Sequence, residues 1–289
     1  MAMRDLSISV HFARAVLKNA VEQGLDPISL LRKNRISPRL LLEENARISI
    51  ERFADLQVSV MLAMGDEALG YTSRRMPLGA WSMMCHAVIG CETLGQAIAR
   101  YCRFYQLFDF GVHCVLEQDD DLAHIRLVGV DRVPRDAPYL CELVLFNVHR
   151  FSSWLAQEIL PLQAVELGYP PAAQLADYRD MFFASPVHFD CAESQLVLSR
   201  ALLDKRITQN EASLRHFLRH PVLILMTSEY VNNSWTARVR DIVRRNLDDL
   251  PELKGIAARL EVHPQTLRRR LSAEGTTFKD IKNQVRRDT

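Results

Sequence analysis

The segment LPELKGIAARLEVHPQTLRRRL, residues 250–271, decides how this chain is read. Leu253, Ile256, Ala257 and Leu260 recur at i, i+3, i+4 and i+7, the spacing of a short amphipathic helix. A second helix is predicted almost at once. His263 can cap it, Pro264 suits a first position that needs no backbone donor, and Leu267 and Leu271 form its buried stripe. Two short helices joined by so brief a turn must cross steeply, and Ala257 permits an approach that a larger side chain would block. Val262 fills the inside of the turn. Gln265, Thr266, Arg268, Arg269 and Arg270 are left to project from the second helix. Arginine can pair bidentately with guanine and glutamine with adenine, while other cations suit phosphate. Cap, small residue, turn apolar and basic arc agree on a helix-turn-helix, where a plain helical hairpin with a basic solvent face would require none of them to coincide.

Outward from this segment, Phe278, Ile281 and Val285 continue a helical stripe towards Thr289. Upstream, a helix that Ser234 can cap places Trp235, Val239, Ile242, Val243 and Leu247 on one face, with Arg238, Arg240, Arg244 and Arg245 mostly off it. Residues 234–289 hold 13 Lys and Arg against 8 Asp and Glu, whereas the remainder holds 23 against 27. Only the C-terminal part therefore suits a polyanion.

The first ~200 residues read as α+β. Helical spacing is predicted over 8–22, 28–33, from Ile50 with Ser49 as cap, over 80–88, 94–108 and 139–159, and near 173–181. Phe110 to Glu117 and Leu122 to Val130, separated by Asp119-Asp120-Asp121, read as a hairpin, with shorter strands near 164–167, 187–189 and 196–198. A mixed helix and antiparallel-sheet domain is thus predicted, followed by an all-α helix-turn-helix region. A chain of 289 residues exceeds what one core usually organises. The expected division is a sensing and dimerisation domain over 1–215, a linker over 216–233 with its break at Val231-Asn232-Asn233-Ser234, and a DNA-binding part over 234–289.

Composition excludes exotic classes: 48% hydrophobic and 25% charged residues are ordinary for a globular protein. The N-terminus carries no secretory apolar run and no later stretch could span a membrane, so a cytoplasmic protein without a membrane partner is expected. The six cysteines, irregularly spaced in apolar surroundings, read as reduced core thiols. Cys85-His86 with Cys91, and His113-Cys114, match no zinc spacing, so neither metal nor cofactor is expected. No nucleophile elbow, phosphate loop, dinucleotide fingerprint or metal-binding helix motif is present, which argues against an enzyme. Tyr101, Phe104, Tyr105, Phe108 and Phe110, with Trp81 and Met83-Met84 upstream, could line an apolar ligand cavity or could be plain core. Trp81, Tyr101 and Tyr105 are the candidate ligand contacts because each has a polar handle.

GIAARLEVHPQTLRRRLSAEGTTFKDIKNQVRRD, residues 255–288, resembles the first helix-turn-helix and the start of the linker helix of AraC-family transcription regulators, in the subgroup with an arabinose-binding-type N-terminal domain. LGYTSRRMPLGAWSMMCHAVIGCETLGQAIARYCRFYQLF and the segment ending HFDCAESQLVLSRALLD resemble stretches of that N-terminal domain. The resemblance implies a sequence-specific regulator of double-stranded DNA that senses a small organic effector, with a homodimer and RNA polymerase as partners. It implies Gln265, Arg268 and Arg269 as base readers, with Thr266 and Arg270 nearer the phosphate backbone. Glu261 departs from the glycine usual at its turn position. The family pattern also calls for a second helix-turn-helix, so the chain is expected to carry the first of two units and to be a truncated form. The apolar face of 139–159 is the expected dimer surface. The competing reading is a non-enzymatic protein-interaction or ligand-binding module with a basic helical tail.

Overall fold

The computed structural model describes residues 7–108, 110–129, 138–171, 175–227, 235–244, 252–260, 262–273 and 276–287. The chain divides into two compact units, Met1–Thr227 and Ser228–Thr289. The first is α+β and the second is built from helices.

The first unit opens on a two-stranded antiparallel ribbon, β1 (Ser7–Ser9) with β2 (Arg47–Ser49), in register Ile8↔Ile48. Each strand runs directly into a helix, α1 (Val10–Glu22) and α3 (Ile50–Met64), whose caps are the last serines of the strands. Ser9 accepts from His11 N–H at 3.2 Å and Ser49 from Arg52 N–H at 3.4 Å. Position 8, expected to open a helix, is therefore a strand residue, because pairing with Ile48 satisfies its backbone and buries its side chain. Between them lies α2 (Pro27–Lys33), which Asp26 caps through Ile28 N–H and Ser29 N–H. Val16, Leu31, Leu56 and Val60 are fully buried in the core these helices share.

Among the described residues the further α-helices of this unit are α4 (Ala80–Val88), α5 (Leu94–Gln106), α6 (Tyr139–Ala156), α7 (Leu175–Met181), α8 (Glu211–Phe217) and α9 (Pro221–Thr227). They accompany a five-stranded sheet, in the order β3 (His113–Gln118), β4 (Leu122–Val128), β7 (Gln195–Ser199), β5 (Ala164–Glu166) and β6 (Val187–His188). Among the described strands of this sheet only the β5–β6 pair is parallel. The acidic turn works through Asp119, whose side chain accepts from Asp121 N–H and Leu122 N–H and so closes the hairpin. At the hairpin's open end, Gly129 has φ +81° and a Cβ there would collide with the Gly111 carbonyl oxygen, so only glycine fits.

Two sequence expectations need correction. Residues 216–227, assigned to a linker, belong to the first unit: Phe217, Ile224 and Leu225 are buried, and only 228–233 of that span fall outside the described residues. Most of the apolar face of 139–159 is covered within the unit, with Ile159 left exposed. Leu140, Leu145, Val148, Phe151 and Leu155 are all buried within the unit, because sheet and helices together cover more of α6 than its length suggests.

The second unit comprises α10 (Trp235–Arg244), α11 (Leu253–Arg259), α12 (Pro264–Ala273) and α13 (Phe278–Arg287). Its core is Val239, Val243, Ile256, Ala257, Leu267, Leu271, Ile281 and Val285, all buried. Every stripe read from the sequence contributes. Ser234, Arg245, Leu247 and Glu261, singled out above, lie outside the described residues.

Candidate effector cavity and DNA-reading helix

In the second unit, Leu260 ends α11, and Val262 N–H reaches back to the Ala257 carbonyl at 3.0 Å to tighten the turn. The ring Nδ1 of His263 accepts from Gln265 N–H at 3.3 Å, satisfying one of the donors that the start of α12 leaves free. Leu267 and Leu271 point into the core, so helical geometry turns Gln265, Arg268 and Arg269 outward, and all three are exposed. Thr266 is half-buried. Arg270 is half-buried as well, with its guanidinium 4.1 Å from the centroid of the Trp235 ring, beside that of Arg238 at 4.6 Å. The five candidate residues thus separate into an outward trio and two side chains set partly into the unit.

The first unit contains a cavity of about 590 Å³ whose wall includes Trp81, Tyr101 and Tyr105, the three candidate ligand contacts. A network of acids builds the Trp81 side. Asp66 accepts from the N–H groups of Ala68, Gly70 and Met76, each at 2.9 Å, and so folds the loop that follows α3. Gly79, the cap residue of α4, has φ +95° and no side chain to offer the helix. Glu67 takes over that role, accepting from Gly79 N–H and Trp81 N–H, both at 2.7 Å. Burial raises the Glu67 pKa, against those two hydrogen bonds. Trp81 then meets Tyr101 edge-on at 6.4 Å and Phe151 at 5.4 Å, and Tyr101 lies 5.0 Å from Tyr105. Phe104 and Phe108, from the same aromatic series, pack on each other instead, and Phe108 stacks on Phe110 at 5.1 Å.

Glu142, which sequence reasoning missed, stands in the first turn of α6 on the cavity wall, 1% exposed. Tyr178 O–H donates to its Oε1. Burial pushes its pKa up to about 7, against that hydrogen bond. The signal was present in YLCELVLF, 139–146, where one carboxylate interrupts an otherwise apolar helical run. All six cysteines lie in the first unit. Five are buried, and desolvation pushes the thiols of Cys102 and Cys141 up to about 12 and that of Cys114 well above its ordinary value. His86 pairs with Glu211 at 3.6 Å rather than with Cys85. Among the described residues no helix is long and apolar enough to cross a membrane.

The family described as the arabinose-binding domain of AraC transcription regulators, N-terminal, matches residues 24–207, well over half of the chain. The chain belongs to this family. The whole length of this AraC-type chain is also similar to regulators. An ornithine utilization regulator of Pseudomonas aeruginosa is 27% identical over 288 residues, covering 97% of this chain and 83% of the relative. An uncharacterized HTH-type transcriptional regulator of Mycobacterium tuberculosis is 23% identical over 286 residues, covering 96% and 82%. Among solved structures, the transcriptional regulator CdpR from Pseudomonas aeruginosa matches 90% of this chain and 81% of its own at 20% identity, with a TM-score of 0.35.

Proposed function

We propose that this AraC-type regulator binds double-stranded DNA sequence-specifically through α12 and holds a small organic effector in the cavity of its first unit. The observation that carries the DNA half is the division of α12: Leu267 and Leu271 fix the helix in its core, and Gln265, Arg268 and Arg269 share the exposed arc. Base-edge readers on the outer face of the second helix are what major-groove entry requires. Thr266 and Arg270, set further into the unit, suit phosphate contact. The effector half is supported by a cavity within the roughly 300–1,000 Å³ range of small-molecule sites and by its mixture of aromatic wall and few polar groups. A homodimer and contact with RNA polymerase belong to the same reading, with any dimer interface formed by a surface other than the buried face of α6.

Gel-shift titration of the full-length protein against a library-selected duplex and a scrambled duplex of equal composition tests the DNA half. Discrimination of at least tenfold at near-physiological salt is expected, about 1.4 kcal/mol. Equal affinity for both duplexes would leave only charge-driven association and would favour the protein-interaction reading.

A further inference from the structure

One face of α3 lines the cavity with Ala54, Gln57, Val58 and Met61, at the spacing that sets four side chains on one side of a helix. Three of the four are apolar. Gln57 is the exception, and with α9 packed against both α3 and α6 it is left only 4% exposed. Its side-chain amide makes no hydrogen bond to any described residue, yet neither amide atom is sealed off, and the space they open on is the cavity. Trp81 Nε1 and Glu142 Oε2 differ in that respect, since both are closed off from any ligand. Asn34, the other buried amide of the wall, is already bonded to the Leu30 carbonyl at 2.8 Å and to the Ser59 hydroxyl at 3.1 Å. The hydroxyls of Tyr101 and Tyr139 are open like Gln57, without a partner among the described residues. Burial keeps both phenols un-ionised. Charged side chains of the wall are turned elsewhere. Glu142 gives its carboxylate to Tyr178, Glu67 is occupied by the α4 backbone, and Asp55, Arg219 and His220 are exposed.

From this arrangement we infer that the cavity takes an uncharged apolar molecule bearing a carboxamide, which pairs with the side chain of Gln57. The inference rests on the reading of the cavity as the effector site and names the ligand class. Glutamine presents N–H and C=O side by side in one plane. A carboxamide answers both at once, its carbonyl taking the Gln57 N–H while its own N–H meets Gln57 Oε1. A hydroxyl has a single oxygen with which to do the same. A carboxylate brings no donor for Oε1 and an ammonium no acceptor for Nε2. Either ion would also give up its hydration where the open, buried groups of the wall are an amide and two phenols, none of them a counter-ion. Water can serve these polar atoms when no ligand is bound, and a carboxamide replaces its hydrogen bonds while the rest of the molecule covers the aromatic and aliphatic wall.

Thermal melting and calorimetry of the chain with phenylbutyramide, phenylbutanol, phenylbutyrate and phenylbutylamine test this, because the four share one hydrophobic body and differ in the head group. The amide is expected to raise Tm the most and to bind with a Kd lower by about tenfold or more than that of either ion. Gln57→Leu keeps the bulk of the side chain and removes both hydrogen-bonding atoms. It should erase the preference for the amide and leave the ligand-free chain at least as stable, since a buried amide without a protein partner is lost. The ranking of head groups on the unsubstituted protein stands whether or not that variant folds. If the alcohol or either ion stabilises as well as the amide, or if the preference for the amide survives Gln57→Leu, the carboxamide assignment is overturned while the cavity remains a ligand site. If none of the four shifts Tm, both the carboxamide assignment and the cavity reading fall.

Discussion

Two buried titratable groups of α6 oppose each other in acid, and Glu142→Gln should unmask the opposition. Burial holds Glu142 at about 7 against an ordinary 4.5, so between those values the folded state binds the proton that the unfolded state has released. Stability then rises as pH falls through this window. His149 is the reverse case. It is buried, bonded through Nε2 to the Leu160 carbonyl at 2.9 Å, and desolvation lowers its pKa from 6.5 to about 4. The unfolded chain takes up that proton first, so His149 costs stability as pH falls from about 6.5 to about 4. Each shift spans about 2.5 pKa units, or about 3 kcal/mol at 1.36 kcal/mol per unit, and the two nearly cancel between pH 4.5 and 6.5. Glutamine at 142 removes one side of the balance. The variant should be more stable than the parent near pH 7.5, and that advantage should shrink by about 3 kcal/mol on descent to about pH 4.5. Urea unfolding across this range, followed by far-UV circular dichroism, measures the difference directly. Parallel stability profiles for the two proteins would refute the claim that Glu142 ionises within the cavity wall.

Arg269→Ala in the full-length regulator should weaken binding to its selected site by about 1 to 3 kcal/mol and relax preference at one base position, read by gel shift on a panel of single-base variants. Leu267→Ala should act differently: it hollows the core of the second unit, so a loss of about 2 to 4 kcal/mol in the stability of that unit should accompany any loss of DNA binding. Unchanged melting alongside lost binding would mean that Leu267 is not the helix's anchor. Gly129→Ala should destabilise the first unit by about 2 kcal/mol or more, because its Cβ would collide with the Gly111 carbonyl in a backbone conformation that alanine resists. An unaltered Tm would show that the open end of the hairpin can give way.

What the sequence disclosed follows from the range of the interactions involved. The stripes of α11, α12 and α13 and the bounds of α3 and α4 were legible because periodicity and a neighbouring cap are local properties. The β1–β2 ribbon was not. Each strand has three residues, and the partner of Ile8 lies at Ile48, across two helices. The 216–227 segment looked like a linker because its apolar residues are buried against elements that no local pattern names. In the cavity, Trp81, Tyr101 and Tyr105 could be nominated from residue type, whereas Glu67 and Glu142 required tertiary structure. One earns its place by capping a helix that begins twelve residues later with a glycine, and the other by facing Tyr178, 36 residues away.

The three consecutive arginines of α12 also show why a basic run should not be treated as one quantity of charge. Arg268 and Arg269 are free to meet a ligand of any shape, but Arg270 has its flat face against an indole that Arg238 also approaches. Such stacking depends on a planar, weakly hydrated cation, which lysine is not. At positions 268 and 269, the proposed base readers, exchange for lysine should alter only how a base edge is met. At 270 the same exchange keeps the charge and gives up a piece of the fold, so that tolerance to substitution along these three neighbours should follow shape at one site and hydrogen-bond geometry at the other two.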